Sequence, residues 1–387
     1  MSHRRSAVPT RVGAGLAATT LLFAAGCGGA TVNNAASPSS SSDSSTSSSS
    51  STSAAESPVA SGSGMSGSEM SGSSMSGSEM SGSSMSGSSS PGGSGGSMSM
   101  VPVTGSCGQV NLAMNDWVGY TADAAVVTYV AEKNLGCKVN QKALKEEIAW
   151  QGFGSGQIDV VIENWGHDDL VKKYIDTQKV AVDGGLTGNL GQIGWYVPPW
   201  MVTKYPDITD SKNLNKYADM FKTSESGGKG QLLDGDPSFV TNDEALVKNL
   251  NLNYKVVFAG SEAALIQAFT TAEQNKTPLL GYFYSPQWFL SEVPLVKINL
   301  PAYTPGCDAD AAKIACDYPN YNLNKIMATK FADSGSSGAA LIKNFHWTND
   351  DQNLVAKYIT ADKMTPAAAA KKWVDANQAK VNAWIGK

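Results

Sequence analysis

From residue 101 onward the chain reads as an α/β domain of two lobes with a cleft between them. Three observations carry this. Short apolar strands alternate with segments of helical spacing; the alternation restarts near residue 230; and strands in both halves end in loops holding Asn, Asp, Gly or Pro beside Trp. Strand–helix alternation builds a mostly parallel sheet covered by helices. In such sheets ligands bind beyond the carboxyl ends of the strands.

The elements follow in order. Gln109-Val110-Asn111-Leu112-Ala113-Met114 alternates polar and apolar residues and predicts a strand, ended by Asn115-Asp116-Trp117. Residues 121–134 carry Ala124, Val127, Tyr129 and Val130 at helical spacing, with Thr121 or Asp123 as the cap. A second strand starts at Cys137-Lys138-Val139. A short helix covers 144–152, stopped by Gly152, Gly154 and Gly156, and a buried strand over 158–162 leads to Glu163-Asn164-Trp165. The restart gives a strand at 231–233, the loop Gly235-Asp236-Pro237-Ser238, and a helix over 242–251. A strand over 254–258, a helix over 261–272 capped by Ser261, and a strand over 278–284 ending in Ser285-Pro286-Gln287-Trp288 come next. From Asp333 helices close the domain, clearest over 353–360 and 366–384, with Trp373 and Trp384 as packing residues. The first lobe is expected at about 107–197 with 295–387, and the second at about 198–294.

The first 100 residues have a different character. Arg4, Arg5 and Arg11 precede an apolar run from Val12 to Ala25, the layout of a secretory signal peptide. The run is too short to span a bilayer comfortably. Its ending, Ala25-Gly26-Cys27, resembles the bacterial lipobox. That resemblance implies a signal peptide over 1–26, lipid on Cys27, and a protein anchored to the outer face of the cell membrane. From Ala35 to about Met100 the chain is nearly all Ser, Gly and Met with scattered Ala and Pro and cannot bury enough apolar surface to offset its ordering entropy, so residues 27–100 are expected to form a flexible tether. Met65, Met70, Met75, Met80 and Met85 recur every five residues. Thioethers suit Cu(I), but the plainer reading of the repeat is a low-complexity spacer.

From residue 101 the chain carries 26 basic and 30 acidic residues and no basic stripe, which excludes nucleic acid as an expected partner. With Cys27 assigned to lipid, Cys107, Cys137, Cys307 and Cys316 remain, and an exported domain turns four cysteines into two disulfides. Three pairings are possible. Cys307 and Cys316 flank a short polar loop, which suggests that they join, leaving Cys107 with Cys137. Scarce His and the lack of a C-x-x-C motif argue against zinc, and no metal or other cofactor is expected.

Trp117, Trp165, Trp195 and Trp288 lie at strand ends or turns, joined by Tyr196, Trp200, Tyr282 and Tyr284. Any one of them is as readily a core residue. Grouped around a cleft, their π-faces suit a quaternary ammonium, which donates no hydrogen bond and is held by cation–π attraction of ~0.5–2 kcal/mol per ring. At Asn115-Asp116-Trp117, Gln157-Ile158-Asp159-Val160 leading to Glu163-Asn164-Trp165, Gly194-Trp195-Tyr196-Val197-Pro198, Gly260-Ser261-Glu262-Ala263-Ala264 and Tyr284-Ser285-Pro286-Gln287-Trp288, the chain resembles the substrate-binding proteins of glycine betaine and related osmoprotectant ABC importers.

The resemblance implies a type II periplasmic-binding-protein fold, a monomeric, hinge-closing receptor that hands its solute to an ABC permease served by a cytoplasmic ATPase. It implies an aromatic cage of Trp165, then Trp117 and Trp195, with Tyr284 where the family often has Trp and Tyr282 as the fallback. The family commonly places a His where this chain has Gln287, so the polar end of the ligand falls to Gln287, Ser238 and loop amides near Trp117 and Gly235. Asp116 would pair with a cation or accept from a choline hydroxyl. Choline and carnitine are therefore alternatives to glycine betaine. His167 and His346 are read as a surface and a packing residue.

An enzyme has few options here. Those are the only two histidines past residue 100, Gly152-Phe153-Gly154-Ser155-Gly156 lacks nucleophile-elbow spacing, and no phosphate loop occurs. A surface lipoprotein with no transport role is the remaining rival.

Overall fold

The computed structural model describes residues 100–239 and 241–387. The expected signal peptide, Cys27, the expected tether up to residue 99 and the Met repeat lie outside the described residues. Among the described residues nine strands form one sheet: β1 (Gln109–Met114), β2 (Lys138–Ala143), β3 (Val160–Asn164), β4 (Ala181–Val197), β5 (Gly230–Asp234), β6 (Tyr254–Phe258), β7 (Gly281–Ser285), β8 (Val296–Lys297) and β9 (Asn320–Ala328). Their order is β2-β1-β3-β9-β4-β7-β5-β6, with β8 on β4. The ends of this path are parallel, β1 with β2 and β3, and β5 with β6 and β7. The middle is antiparallel, because β9 pairs β3 and β4, and β4 pairs β7.

Two cores flank this middle. The first gathers Leu112, Val126, Trp150, Ile162, Ile326, Trp373 and Trp384. The second holds Trp195, Ile208, Leu232, Tyr254 and Ile298, continued by Phe269 and Phe283. The chain leaves the first core along β4 and returns along β9, so two adjacent antiparallel strands connect the lobes. The segment from Leu295 to Tyr318 was expected in the first lobe. Its Ile298, Leu300, Ile314 and Tyr318 are buried in the second core instead, because the return crossing is β9, some 25 residues later than the change of pattern had suggested.

The first helix runs Val118–Leu135 and begins three residues before Thr121 and five before Asp123, the two expected caps. The backbone is extended only as far as Trp117, whose side chain caps nothing, so Thr121 and the fully buried Asp123 fall inside the helix. Gly136 ends it in the left-handed region at φ 68°. The helix Glu262–Asn275 is capped by Ser261, whose hydroxyl accepts from the Ala264 amide at 3.1 Å. Disulfides join Cys107 to Cys137 and Cys307 to Cys316. Among the described residues no helix is long and apolar enough to cross a membrane.

Candidate functional site

The strand ends of both lobes open on one cavity of about 590 Å³, within the range of small-molecule sites. Trp117 and Trp165 reach it from the ends of β1 and β3. Tyr282 and Tyr284 reach it from β7, two residues apart and hence on one face of the strand. The register question between those two tyrosines therefore does not arise, since one residue's slip would present Phe283, which packs on Phe269 at 5.4 Å. Trp165 stands edge-on to Tyr284 with centroids 5.6 Å apart and lies 5.9 Å from Tyr321. Trp117 meets Phe239 of the second lobe edge-on at 6.0 Å, and Phe239 lies 6.4 Å from Tyr282. Rings from both lobes thus face one space.

Backbone shape admits these rings. A Cβ on Gly191 of β4 would lie 2.6 Å from the Trp165 ring, so any side chain there displaces it. Gly166 takes φ +82° immediately after Trp165 and lies under Tyr321.

Two buried glutamates hold the rings from behind. Glu163 Oε1 accepts from Trp117 Nε1 at 2.7 Å and from Trp165 Nε1 at 2.6 Å, and its Oε2 accepts from Gln352 Nε2. Glu262 Oε1 accepts from the Tyr284 hydroxyl and from Gln287 Nε2, and its Oε2 accepts from the Val118 amide at 2.9 Å. Burial pushes the Glu262 carboxyl above the ordinary range, opposed by those three donors.

The remaining sequence candidates sit elsewhere. Trp195 is fully buried in the second core, donating to Asp243 at 2.8 Å, and does not line the cavity. Gln287 is also buried behind the lining, bridging Glu262 and the Phe289 amide. Ser238 donates to Asp236 at 2.6 Å within its own turn. Asp116 is half-exposed and pairs with Lys145 at 2.7 Å, which also reaches Asp236 at 3.2 Å.

Sequence reasoning gave no role to Glu163, Glu262, Phe239 or Tyr321, nor to the polar lining of Glu146, Asp168, Asp169 and Asp308. His167, read as a surface residue, lines the cavity with Nε2 at 3.0 Å from Glu146 Oε1. It is the only basic side chain of the lining, and every arginine of the chain precedes residue 12. Glu163 and Glu262 did stand in the quoted motifs, and an acidic residue two positions before Trp165 was the available signal for Glu163.

A two-lobed α/β domain with an aromatic cavity at the strand ends is the architecture of an extracytoplasmic solute receptor. A family model described as the substrate binding domain of ABC-type glycine betaine transport systems matches residues 108–376, and the chain belongs to this family. It is a quaternary-ammonium solute-binding component of an ABC importer and a binding protein, not an enzyme. A trimethylamine N-oxide-binding protein of Pelagibacter ubique is 25% identical over 279 residues, 68% of this chain and 86% of that protein. The fold matches lactococcal OpuAC, solved closed with glycine betaine, at a TM-score of 0.58 and 22% identity, covering 72% of this chain and 99% of that one. A choline-binding protein solved with choline matches at a TM-score of 0.59 and 17% identity, over 72% and 92%.

Proposed function

We propose that the chain captures a trimethylammonium solute without a carboxylate, choline or trimethylamine N-oxide, and delivers it to its permease, tethered to the membrane through lipid on Cys27. The observation that carries the ligand reading is the lining itself: aromatic rings of both lobes with four carboxylates, one histidine and no lysine or arginine. Rings and carboxylates attract the cationic head, whereas a ligand carboxylate among Glu146, Asp168, Asp169 and Asp308 meets like charge. Trp117, Trp165, Tyr282 and Tyr284 form the cage in this reading, with Phe239 and Tyr321 closing it. Trp195, Gln287, Ser238 and Asp116 support it from outside.

Glycine betaine is the second reading, favoured by His167 as a donor inside the cavity.

Isothermal titration calorimetry of the full chain, disulfides intact, against choline, trimethylamine N-oxide, glycine betaine, proline betaine, carnitine and ectoine tests this. Saturable binding of choline or the N-oxide is expected. It should weaken by about 100-fold in Trp165→Ala while the domain stays folded. Preference for a betaine would select the second reading. No heat from folded protein with any of them would remove the cage reading altogether.

A further inference from the structure

Two indole N–H groups that line the cavity converge on one oxygen of Glu163, a side chain 1% exposed that is not itself part of the lining. Burial of an indole in this fold does not require such a partner: among the described residues Trp150 and Trp384 are buried with no protein acceptor for Nε1. Core tryptophans also donate to carboxylates, Trp195 to Asp243 and Trp373 to Asp351, but neither shares its acceptor with a second indole, whereas Trp117 and Trp165 share one Glu163 oxygen. Burial, with Glu163 beside it, holds the neighbouring Asp123 carboxyl well above the usual range. Hydrogen bonding to an ion polarises the donor. An indole that gives its N–H to a carboxylate carries more electron density on its faces, and those faces are what a cation meets.

Resting on the proposed cage, we infer that Glu163 is the positioning residue that sets this site's selectivity for positive charge, acting through Trp117 and Trp165 rather than by touching the solute. A merely structural Glu163 would hold the rings equally well for a charged and an uncharged guest. A polarising one favours the charged guest alone.

The test compares choline with the isosteric alcohol in which carbon replaces nitrogen, on the full chain and its Glu163→Gln variant, by calorimetry or by displacement. Glycine betaine and its carbon isostere form a second such pair. In the wild type the cation should be preferred. In Glu163→Gln its affinity should fall by about tenfold while the isostere changes by less than about threefold, so the preference collapses. The ratio does not depend on the fraction of protein that folds. Trp165→Phe, which keeps a ring and removes its N–H, should lower the ratio in the same direction. Equal loss for both guests, with the preference intact, overturns the inference and leaves the cage standing. A wild type that binds neither cation overturns the cage reading and this inference with it.

Discussion

At the scale of residues, the imidazole of His167 is where pH acts on the cavity. Burial pulls its pKa down, but the charge and hydrogen bond of Glu146, with Asp169 and Glu147 behind, raise it above the ordinary value. A cation in the cavity repels the imidazolium, so cation and proton compete. Affinity for choline is thus expected to be weakest below the raised His167 pKa. It should increase by roughly three- to tenfold as pH passes upward through that value. Titrations from about pH 5 to about pH 9 on wild type and His167→Gln check this. A slope that survives the substitution would assign the effect to another group. Trp165 and Trp195 show why residue type alone does not make a site. Each stands among motif residues near a Gly. Trp165 follows the last residue of β3, whereas Trp195 lies inside β4, opposite Tyr282, with its N–H committed to Asp243.

At the scale of elements, the segment between β8 and β9 forms one wall of the cavity through Tyr303, Gly306, Asp308, Ala309, Ala311 and Ile314. Cys307–Cys316 closes a loop within it at a sequence separation of 9, which in the chain-entropy model stabilises the loop by about 2–3 kcal/mol. A Cys307→Ser, Cys316→Ser double variant should stay folded, since the second core extends well beyond this loop. Its affinity for the solute should drop several-fold, roughly 1 kcal/mol, because the wall must be ordered on binding. Unfolding curves and calorimetry side by side separate the two effects. Unchanged affinity would show that the wall holds without its staple. β4 and β9 escaped the sequence reading for a physical reason. β4 carries Gly184, Gly185, Gly188, Gly191 and Gly194, a composition that disfavours strands, and its pairing with β9 has two register shifts. Only the partner strand makes it extended.

At the scale of the molecule, the lobes meet through few polar contacts. Glu262 of the second lobe reaches the first amide of the helix Val118–Leu135 in the first, a helix with no acidic residue in its opening turn and no side-chain cap of its own. Lys145 reaches Asp236 and Lys357 reaches Glu292 across the same boundary. Because Glu262 also holds Tyr284, closure and cage assembly share one carboxylate. Glu262→Ala is expected to weaken the closed state by about 1–3 kcal/mol and to lower solute affinity correspondingly. Small-angle scattering should show wild type compacting with saturating choline and the variant doing so only at higher concentration. Identical scattering and affinity would mean that closure rests on the rings alone.

The sequence by itself determined the α/β class, the two tandem units, the helix Glu262–Asn275 with its cap, and the aromatic character of the strand ends, because each is written in local periodicity, capping chemistry or residue type. It also brought out Trp117, Trp165, Tyr282 and Tyr284, since a ring beside a turn at the carboxyl end of a strand is a local pattern. Tertiary structure decided where the lobes divide, which ring of the Trp165–Trp195 pair meets the cavity, and which acids stand behind the rings. Glu163 and Glu262 lie 99 residues apart in the chain, and their partners Gln352 and Val118 lie 189 and 144 residues from them. Nothing local couples such positions. They meet because burying two cores on one sheet brings the strand ends together, and a buried carboxylate must then find its donors there.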